Sequence, residues 1–470
     1  MKQAGHAVVI GGSIAGLCAA RVLADFFDRV KVIDRDSFPT GIEDRPGIPQ
    51  GRHVHALLAR GLQELDGLFP GFERDLRAGG AVDIDFGLDF AALRLFGWAP
   101  RVSLDLQLLF ASRALIETTI RRLTRKLPNV ELVERTTATG LVVTGNPARV
   151  TGVRVAASDA NAGTELAADL VVDASGRGSK APEWLRAIGL EPPAETVVDA
   201  LAGYSTRWFA APDPSRWPGH WWWKGIWIDP KLPDDLRAGV LFPVEGRRWI
   251  VTLGGLGGQY PPTDEDEFMA AIGKLRSPIL ADAVKLATPI SPVYGNRAMA
   301  NRFRHYEKWG ARLPGFLAVA DSVCAFNPVY GQGMTAATIC ARVLETCLRK
   351  IGPTNPELPA RFFRAQAKAE QTAWGIATGA DFMVPHTVGK RTFASRITVP
   401  YFEALFEAAM DDLVLVRRFI EVVNMVRSPA ALFTPAVMAR VLRGTISRRL
   451  AGSGSAEPVS AMPPAATIVP

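Results

Sequence analysis

The stretch AVVIGGSIAGLCAA, residues 7–20, restricts what this chain can fold into more than any other part of it. Ala7 to Ile10 form a short apolar run of the kind that makes a buried parallel strand, and GGSIAG, residues 11–16, is a tight turn. Leu17 to Phe27 then continue as a helix whose first amides face that turn. Such a helix start seats a pyrophosphate, because glycine lets the backbone come close and the dipole favours the negative charge. The outer glycines of a GxGxxG pattern, Gly11 and Gly16, are present, and Ser13 stands at the middle position. A second strand, RVKVIDRD, ends in Asp34, 18 positions after Gly16, where a carboxylate can accept hydrogen bonds from a ribose. The pattern predicts a Rossmann-type half that binds an adenine dinucleotide; the plainer alternative is an ordinary βαβ unit.

The same stretch has the apolar look of a signal peptide or a membrane span. It is about 14 residues long, interrupted by glycine and followed by Arg21 and Asp25, which favours a folded strand–turn–helix. No other run approaches the ~18 uncharged apolar residues of a spanning helix. With 470 residues, 48% hydrophobic and 21% charged, the chain has material for two or three domains. The formal charge of +7 is spread along the chain without a run of five basic residues, which argues against a nucleic-acid partner. Cys18, Cys324, Cys340 and Cys347 lack paired spacing, so neither a disulfide framework nor a zinc site is expected, and a reducing cytoplasm fits best.

Two further segments continue the pattern. ADLVVDASGRGS is a buried strand ending in Asp173 and a glycine-containing turn. PGFLAVADSVCAFNPVYGQGMTAA is another, with Asp321 at the strand's C-terminal edge, a Pro-Gly loop, and a helix from about Met334 to Leu348. Carboxyl ends of parallel strands are where α/β folds place ligands. In this order the segments resemble the flavoprotein monooxygenases of the para-hydroxybenzoate hydroxylase fold; the last is similar to that family's GD…P…GQG motif, with Ala320 in place of the usual glycine and Met334 close to where asparagine is common. RPGIPQGRHVHALL and ASRALIETTIRR narrow the likeness. With them the chain resembles bacterial flavin-dependent epoxidases of polyene chains in polyether biosynthesis, and more distantly squalene epoxidases, over roughly residues 6–380.

This resemblance implies an α/β fold: a Rossmann-like FAD-binding domain of the GR2/PHBH type, an inserted β-sheet substrate domain and a C-terminal helical region. It also implies FAD, with Gly11, Gly12, Ser13, Ile14, Ala15 and Gly16 around the pyrophosphate, and Asp34 and Arg35 at the adenosine. Arg45 and Arg113 would reach the phosphates or ribityl chain and Asp321 the ribityl hydroxyls. Asp173 joins the cofactor set, and Gly331, Gly333 and Met334 would lie against the isoalloxazine, with Pro328 fixing the approach. Amides at the start of a helix near Gly333 would stabilise the negative charge of a reduced flavin.

Texture along the chain places the FAD domain at 1–75, 100–185 and 290–350, and a substrate domain at 76–99 and 186–289. Residues 351–450 read as helical and 451–470 as a disordered tail. The substrate domain contains GHWWWKGIWI, residues 219–228. Read as one strand, it puts Trp221, Trp223 and Trp227 on one face, where they would line a wide apolar cavity or fill a core. The WxWxIP signature of flavin-dependent halogenases fails here, since Gly225 and Ile226 stand where Ile and Pro belong, and no lysine occurs between Lys31 and Lys126. His53 and His55 form an HxH pair without a third ligand nearby, so they are assigned to the substrate pocket and no metal is expected.

No side chain stands out as catalytic. The resemblance therefore implies an FAD-dependent monooxygenase of secondary metabolism that uses O2, through a flavin hydroperoxide, on a large apolar substrate. Epoxidation of a polyene, terpenoid or polyketide alkene is favoured because an alkene needs no base. An aromatic hydroxylase and an isoprenoid-chain reductase of the geranylgeranyl reductase type are the alternatives. Only one dinucleotide fingerprint is present, so NADPH or NADH would bind transiently or a separate flavin reductase would act as partner. The stretch 416–450, in which Phe419, Val422, Val423 and Val426 recur at helical spacing beside Arg417, Arg418 and Arg427, predicts either peripheral membrane contact or packing on the FAD domain.

Overall fold

A computed structural model describes residues 4–157, 163–297, 299–310, 313–391, 393–450 and 462–464, and the predicted tail 451–470 lies almost wholly outside these. The valines and isoleucines of the N-terminal stretch form the strand Ala4–Ile10, central in a five-stranded sheet. Its order is Phe316–Ala318, Leu170–Asp173, Ala4–Ile10, Phe27–Ile33 and Val130–Val133, and all pairs are parallel. Register sets Ile10 beside both Asp173 and Ile33, and Asp173 beside Ala318. The strands thus end flush, and the turns that follow them open on one edge. The chain leaves Ala4–Ile10 towards one neighbour while Leu170–Asp173 pairs on the other side, the switch point at which doubly wound sheets bind ligands.

The helices Ile14–Leu23 and Gly333–Ile351 pack on each other over this sheet. Gly16 lets the first of these helices start close against the strand and turn before it: a Cβ there would stand 1.8 Å from the carbonyl oxygen of Gly11. Gly11 itself has φ 103°, and its Cβ would meet the Ala174 carbonyl at 2.6 Å.

The second sheet has eight strands, with Gly203–Ala210, Arg248–Gly255, Arg237–Val244, Gly225–Ile228 and Phe90–Arg94 side by side in that order. Period-2 alternation gives it two unlike faces. Phe209, Trp249, Val251, Leu253, Ile226 and Ile228 point to a closed core capped by the helices Glu265–Ile272 and Ile279–Lys285. Trp208, Ile250, Phe242, Trp227 and Phe90 point the other way, towards the parallel sheet's open edge.

The C-terminal region is helical: Leu358–Asp381, Phe393–Ala408, Leu413–Val423 and Pro435–Leu450. Asp412 caps the third of these, accepting from the amides of Val414 and Leu415. The stripe weighed for lipid contact is turned inwards. Val422 is buried with Leu405 and Leu415, Phe419 packs on the same cluster, and Val426 joins the cluster of Phe90 and Phe242. Among the described residues no helix is long and apolar enough to cross a membrane.

Candidate functional site

One cavity of about 1090 Å³ runs from the flush ends of the parallel strands to the inner face of the eight-stranded sheet. This is at the upper end of the ~300–1,000 Å³ of ordinary ligand pockets and suits a dinucleotide-sized group with a second molecule beside it.

At the dinucleotide end the wall includes Gly11, Ser13, Ile14 and Ala15, then Asp34, Arg35, Arg45 and Arg113. Gly12 and Gly16 stand behind it: Gly12 packs on Phe38 and donates its amide to Asp34 at 2.7 Å, while Gly16 backs onto Gly11. Asp34 also accepts from the Asp36 amide at 2.9 Å and pairs with Arg45 at 3.1 Å. A residue that sequence reasoning passed over organises this corner. Glu117, buried on the helix Arg113–Thr124, accepts from Ser13 Oγ at 2.7 Å and from Arg45 Nε at 2.9 Å, and pairs with Arg121 at 3.3 Å. Ser13 in turn accepts from Arg113 Nη2 at 2.8 Å, so the serine that replaces the middle glycine is a knot between helices. The signal was an acidic residue beside Ile116 and Ile120 on an apolar helix face, four positions before Arg121.

Asp173 is also corrected. It is fully buried behind the wall and accepts from the hydroxyls of Ser175 and Ser179, holding the turn Gly176–Gly178 rather than facing the cavity. Asp321 does line the cavity, near Gly333. Burial raises its pKa above the usual carboxylate value, against the pull of Arg177, Arg113 and Arg302. Ala320 explains why glycine is common at its position: its φ is 51°, the left-handed region that costs a residue with a Cβ roughly 1–2 kcal/mol.

Pro328, Gly331, Gly333 and Met334 share the wall, and Gly331 turns with φ 66° against Ala56 of the HVHA segment. A second missed carboxylate secures this loop from the C-terminal region. Asp381, at the end of its helix, accepts from the side-chain amides of Asn301 and Asn327 and from the Tyr330 hydroxyl at 2.6 Å. Burial outweighs these bonds and pushes it up to about 6. Nothing local in TGADFM marks this role, because the partners lie 51 to 80 positions away.

At the far end the wall is apolar, with Phe86, Leu108, Phe110, Trp227, Val240 and Phe242. Trp227 donates its indole N–H to Asp229 at 2.7 Å. Trp221 and Trp223 are absent from this wall. The strand begins only at Gly225, so parity does not extend back to them, and both lie in the closed core beside Trp217 and Trp249. His53 and His55 do line the cavity. His53 Nδ1 bonds Thr206 Oγ1 at 2.9 Å, and His55 Nδ1 bonds the His53 carbonyl at 2.9 Å. Burial lowers His53 to about 4 and His55 to about 3, so both rings are neutral at ordinary pH. Val423 and Asn424 complete the wall from the C-terminal helices, and Asn424 accepts from the Ala59 amide at 3.3 Å.

The residues fit a flavin adenine dinucleotide on three counts. Arg113 lines the cavity, and its buried Nε makes no hydrogen bond, with the Glu117 carboxylate at 3.8 Å as its ion-pair partner. The Asp321 carboxylate makes no hydrogen bond among the described residues although it borders the cavity. Gly331 and Gly333 present bare backbone at two positions of the loop that borders it.

No family model matches the chain. It is 34% identical over 394 residues to Protein Rv3254 of Mycobacterium tuberculosis, covering 82% of each chain. Among solved structures it is similar to a flavoprotein/dehydrogenase from Cytophaga hutchinsonii, at 17% identity, TM-score 0.67 and 94% and 99% coverage of the two chains. It is similar to the flavin-dependent brominase Bmp2 at 14% identity, TM-score 0.65 and 94% and 100% coverage. It also resembles PqsL, described as a probable FAD-dependent monooxygenase from Pseudomonas aeruginosa, at 14% identity, TM-score 0.56 and 89% and 99% coverage. The fold is that of the FAD-binding monooxygenases and halogenases.

Proposed function

The chain belongs to the family of Protein Rv3254 of Mycobacterium tuberculosis, and from that premise and its cavity we propose that it is an FAD-dependent monooxygenase. Its substrate would be large and mostly apolar, and the favoured reaction is transfer of one oxygen atom from O2 to an alkene. The observation that carries this reading is the continuity of one cavity from the glycine turn to the wall of Phe110, Trp227 and Phe242. The division into an FAD domain, a substrate domain and a helical region is part of the same proposal.

When bound, FAD would supply the activation of O2 that amino-acid side chains lack. The chain's residues would do the rest by placement. The turn Gly11–Ser13 and Arg113 would take the pyrophosphate, Asp34 the ribose and Asp321 the ribityl hydroxyls. The loop from Pro328 to Met334 would lie against the ring, held from behind by Asp381. The apolar wall would hold the alkene at reacting distance and keep water out, which a substrate without an ionisable group requires more than it requires a base. NADPH or NADH would reduce the cofactor, directly or through a separate reductase.

The test is mass spectrometry of an alkene and aromatic library incubated with the purified protein, NADPH and isotopically labelled O2. A label in the product at a former double bond supports epoxidation, and a label on an aromatic ring moves the reading to hydroxylation. Saturated product formed without O2 replaces both with the reductase. Asp321→Ala should purify with much less flavin, because a charged hydrogen bond contributes about 1.5–3 kcal/mol; full flavin occupancy would remove Asp321 from the cofactor site.

A further inference from the structure

The apolar end of the cavity holds one polar device that oxygen transfer to an alkene does not use. His53, only 4% exposed, lines the cavity with its Nδ1 on Thr206 Oγ1 at 2.9 Å. Thr206 is bonded to Thr252 Oγ1 at 2.7 Å, its direct partner across two antiparallel strands. The Tyr204 ring meets the imidazole edge-on at 4.4 Å and fixes its plane. Thr206 and Thr252 sit on the cavity-side parity of their strands, where neighbours such as Trp208 and Ile250 are apolar. Nε2 of His53 makes no hydrogen bond among the described residues, and it is not sealed in protein either. A buried ring held by the Thr206 hydroxyl and the Tyr204 ring, with one nitrogen left over beside a ligand-sized space, is built to meet something in that space.

We propose that His53, oriented by Thr206 and Thr252, is a specificity-determining residue that hydrogen-bonds a single uncharged oxygen function, a hydroxyl or a carbonyl, on the otherwise apolar substrate. This rests on the reading of the cavity as a site for a large apolar molecule. The chain of hydroxyls gives Nε2 either role. When Thr206 accepts from Nδ1–H, Nε2 is a bare acceptor for a substrate O–H; when Thr206 donates, the proton sits on Nε2 and serves a carbonyl. The ring stays neutral, as burial and the nearby Arg52 hold its pKa down to about 4, so it offers no charge to attract a carboxylate. The HVHA segment places this contact close to the reacting end, since Ala56 and Gly331 line the same cavity and a Cβ on Gly331 would stand 3.5 Å from that of Ala56. An oxygen function held at His53 would fix which bond of a long chain lies at the ring.

The experiment uses the flavin-loaded protein and three probes of one skeleton: a terpene alcohol, the matching hydrocarbon and the matching carboxylic acid. Binding is read by perturbation of the oxidised flavin's absorbance and by calorimetry. The parent protein should favour the alcohol over the hydrocarbon by roughly 2- to 12-fold, the range for one neutral hydrogen bond. His53→Phe should abolish that preference with hydrocarbon affinity retained, His53→Gln should restore part of it, and Thr206→Val should weaken it while the fold and flavin spectrum stay intact. The inference is overturned if alcohol and hydrocarbon bind equally to the parent, if the preference survives in His53→Phe, or if the acid binds best. If none of the three binds, the apolar-substrate reading itself fails and takes this inference with it, an outcome distinct from equal binding of alcohol and hydrocarbon.

Discussion

The two faces of the eight-stranded sheet carry the same kind of residue and do different things. On the closed face Trp217, Trp221, Trp223 and Trp249 pack with neighbouring ring centroids 4.8 to 6.4 Å apart and complete a core. On the open face Trp227, two positions after the strand begins, meets Phe242 at 5.9 Å and lines the cavity. A tryptophan count therefore says little about a pocket; where the strand starts, and hence which parity each indole has, says nearly everything.

The largest effect should come from crossing that divide by mutation. Trp223, 1% exposed, is core, so Trp223→Ala should cost about 3–5 kcal/mol and lower the melting temperature sharply, with the ratio of product to NADPH consumed unchanged in the protein that remains folded. Trp227→Ala should lose less stability, because the cavity already borders it, and should instead raise hydrogen peroxide release as water reaches the reacting end. Thermal melts and coupling ratios for the pair decide the matter. A strongly uncoupled but stable Trp223→Ala protein would erase the distinction between the faces.

How much of this was legible beforehand follows from the range of the interactions. The glycine turn, Asp34 and the loop 328–334 are local patterns whose backbone demands are written in neighbouring residues, and they do gather on one cavity. Ala320 shows the same legibility in reverse, its unfavoured φ marking where a glycine is usual. Glu117 and Asp381 were missed because their partners come from other helices and loops, 72 and 104 positions away for Glu117. The tryptophans misled for a narrower reason. The segment 221–223 precedes the strand, with the Trp221 amide turned back to the Pro218 carbonyl; Lys224 and Gly225 both donate to the Asp89 carbonyl, and the strand begins there.

The cavity side should also respond to pH in two opposing ways. His53 has its folded pKa lowered from 6.5 to about 4, so its contribution to stability is complete above 6.5 and is lost as pH falls towards 4. Asp381 has its folded pKa raised from 3.8 to about 6, so its contribution is complete below about 4 and is lost as pH rises through 6. Each shift, of a little over 2 pH units, corresponds to about 3 kcal/mol at its limit. Between pH 4 and 6 the two slopes partly cancel in the parent. Asp381→Asn should leave a protein whose melting temperature climbs more steeply from pH 4.5 to 6.5 than the parent's, and His53→Gln one that climbs less. Identical profiles for all three proteins would mean that neither group is as buried as its hydrogen bonds imply.

The smallest expected effect tests whether the cavity side stores strain that the tryptophan core lacks. Ala320 holds φ 51° immediately before Asp321, its carbonyl accepts from the Val323 amide at 2.7 Å, and the residue is 3% exposed. Ala320→Gly removes the left-handed penalty of roughly 1–2 kcal/mol but adds glycine's extra freedom to the unfolded chain, worth about 0.4–1 kcal/mol in the other direction. The net should lie between about zero and a gain of about 1.6 kcal/mol, seen as a small rise in melting temperature with flavin retained. Such a gain at a residue beside the cofactor corner, where a Trp223→Ala change only loses, would mean that the turn following the parallel strand Phe316–Ala318 is held in a conformation its own sequence does not favour, as ligand-binding loops often are. A loss of stability in Ala320→Gly would instead show that the Ala320 methyl packs well enough to offset its backbone, and the cavity turn and the tryptophan core would then differ in what they line but not in strain.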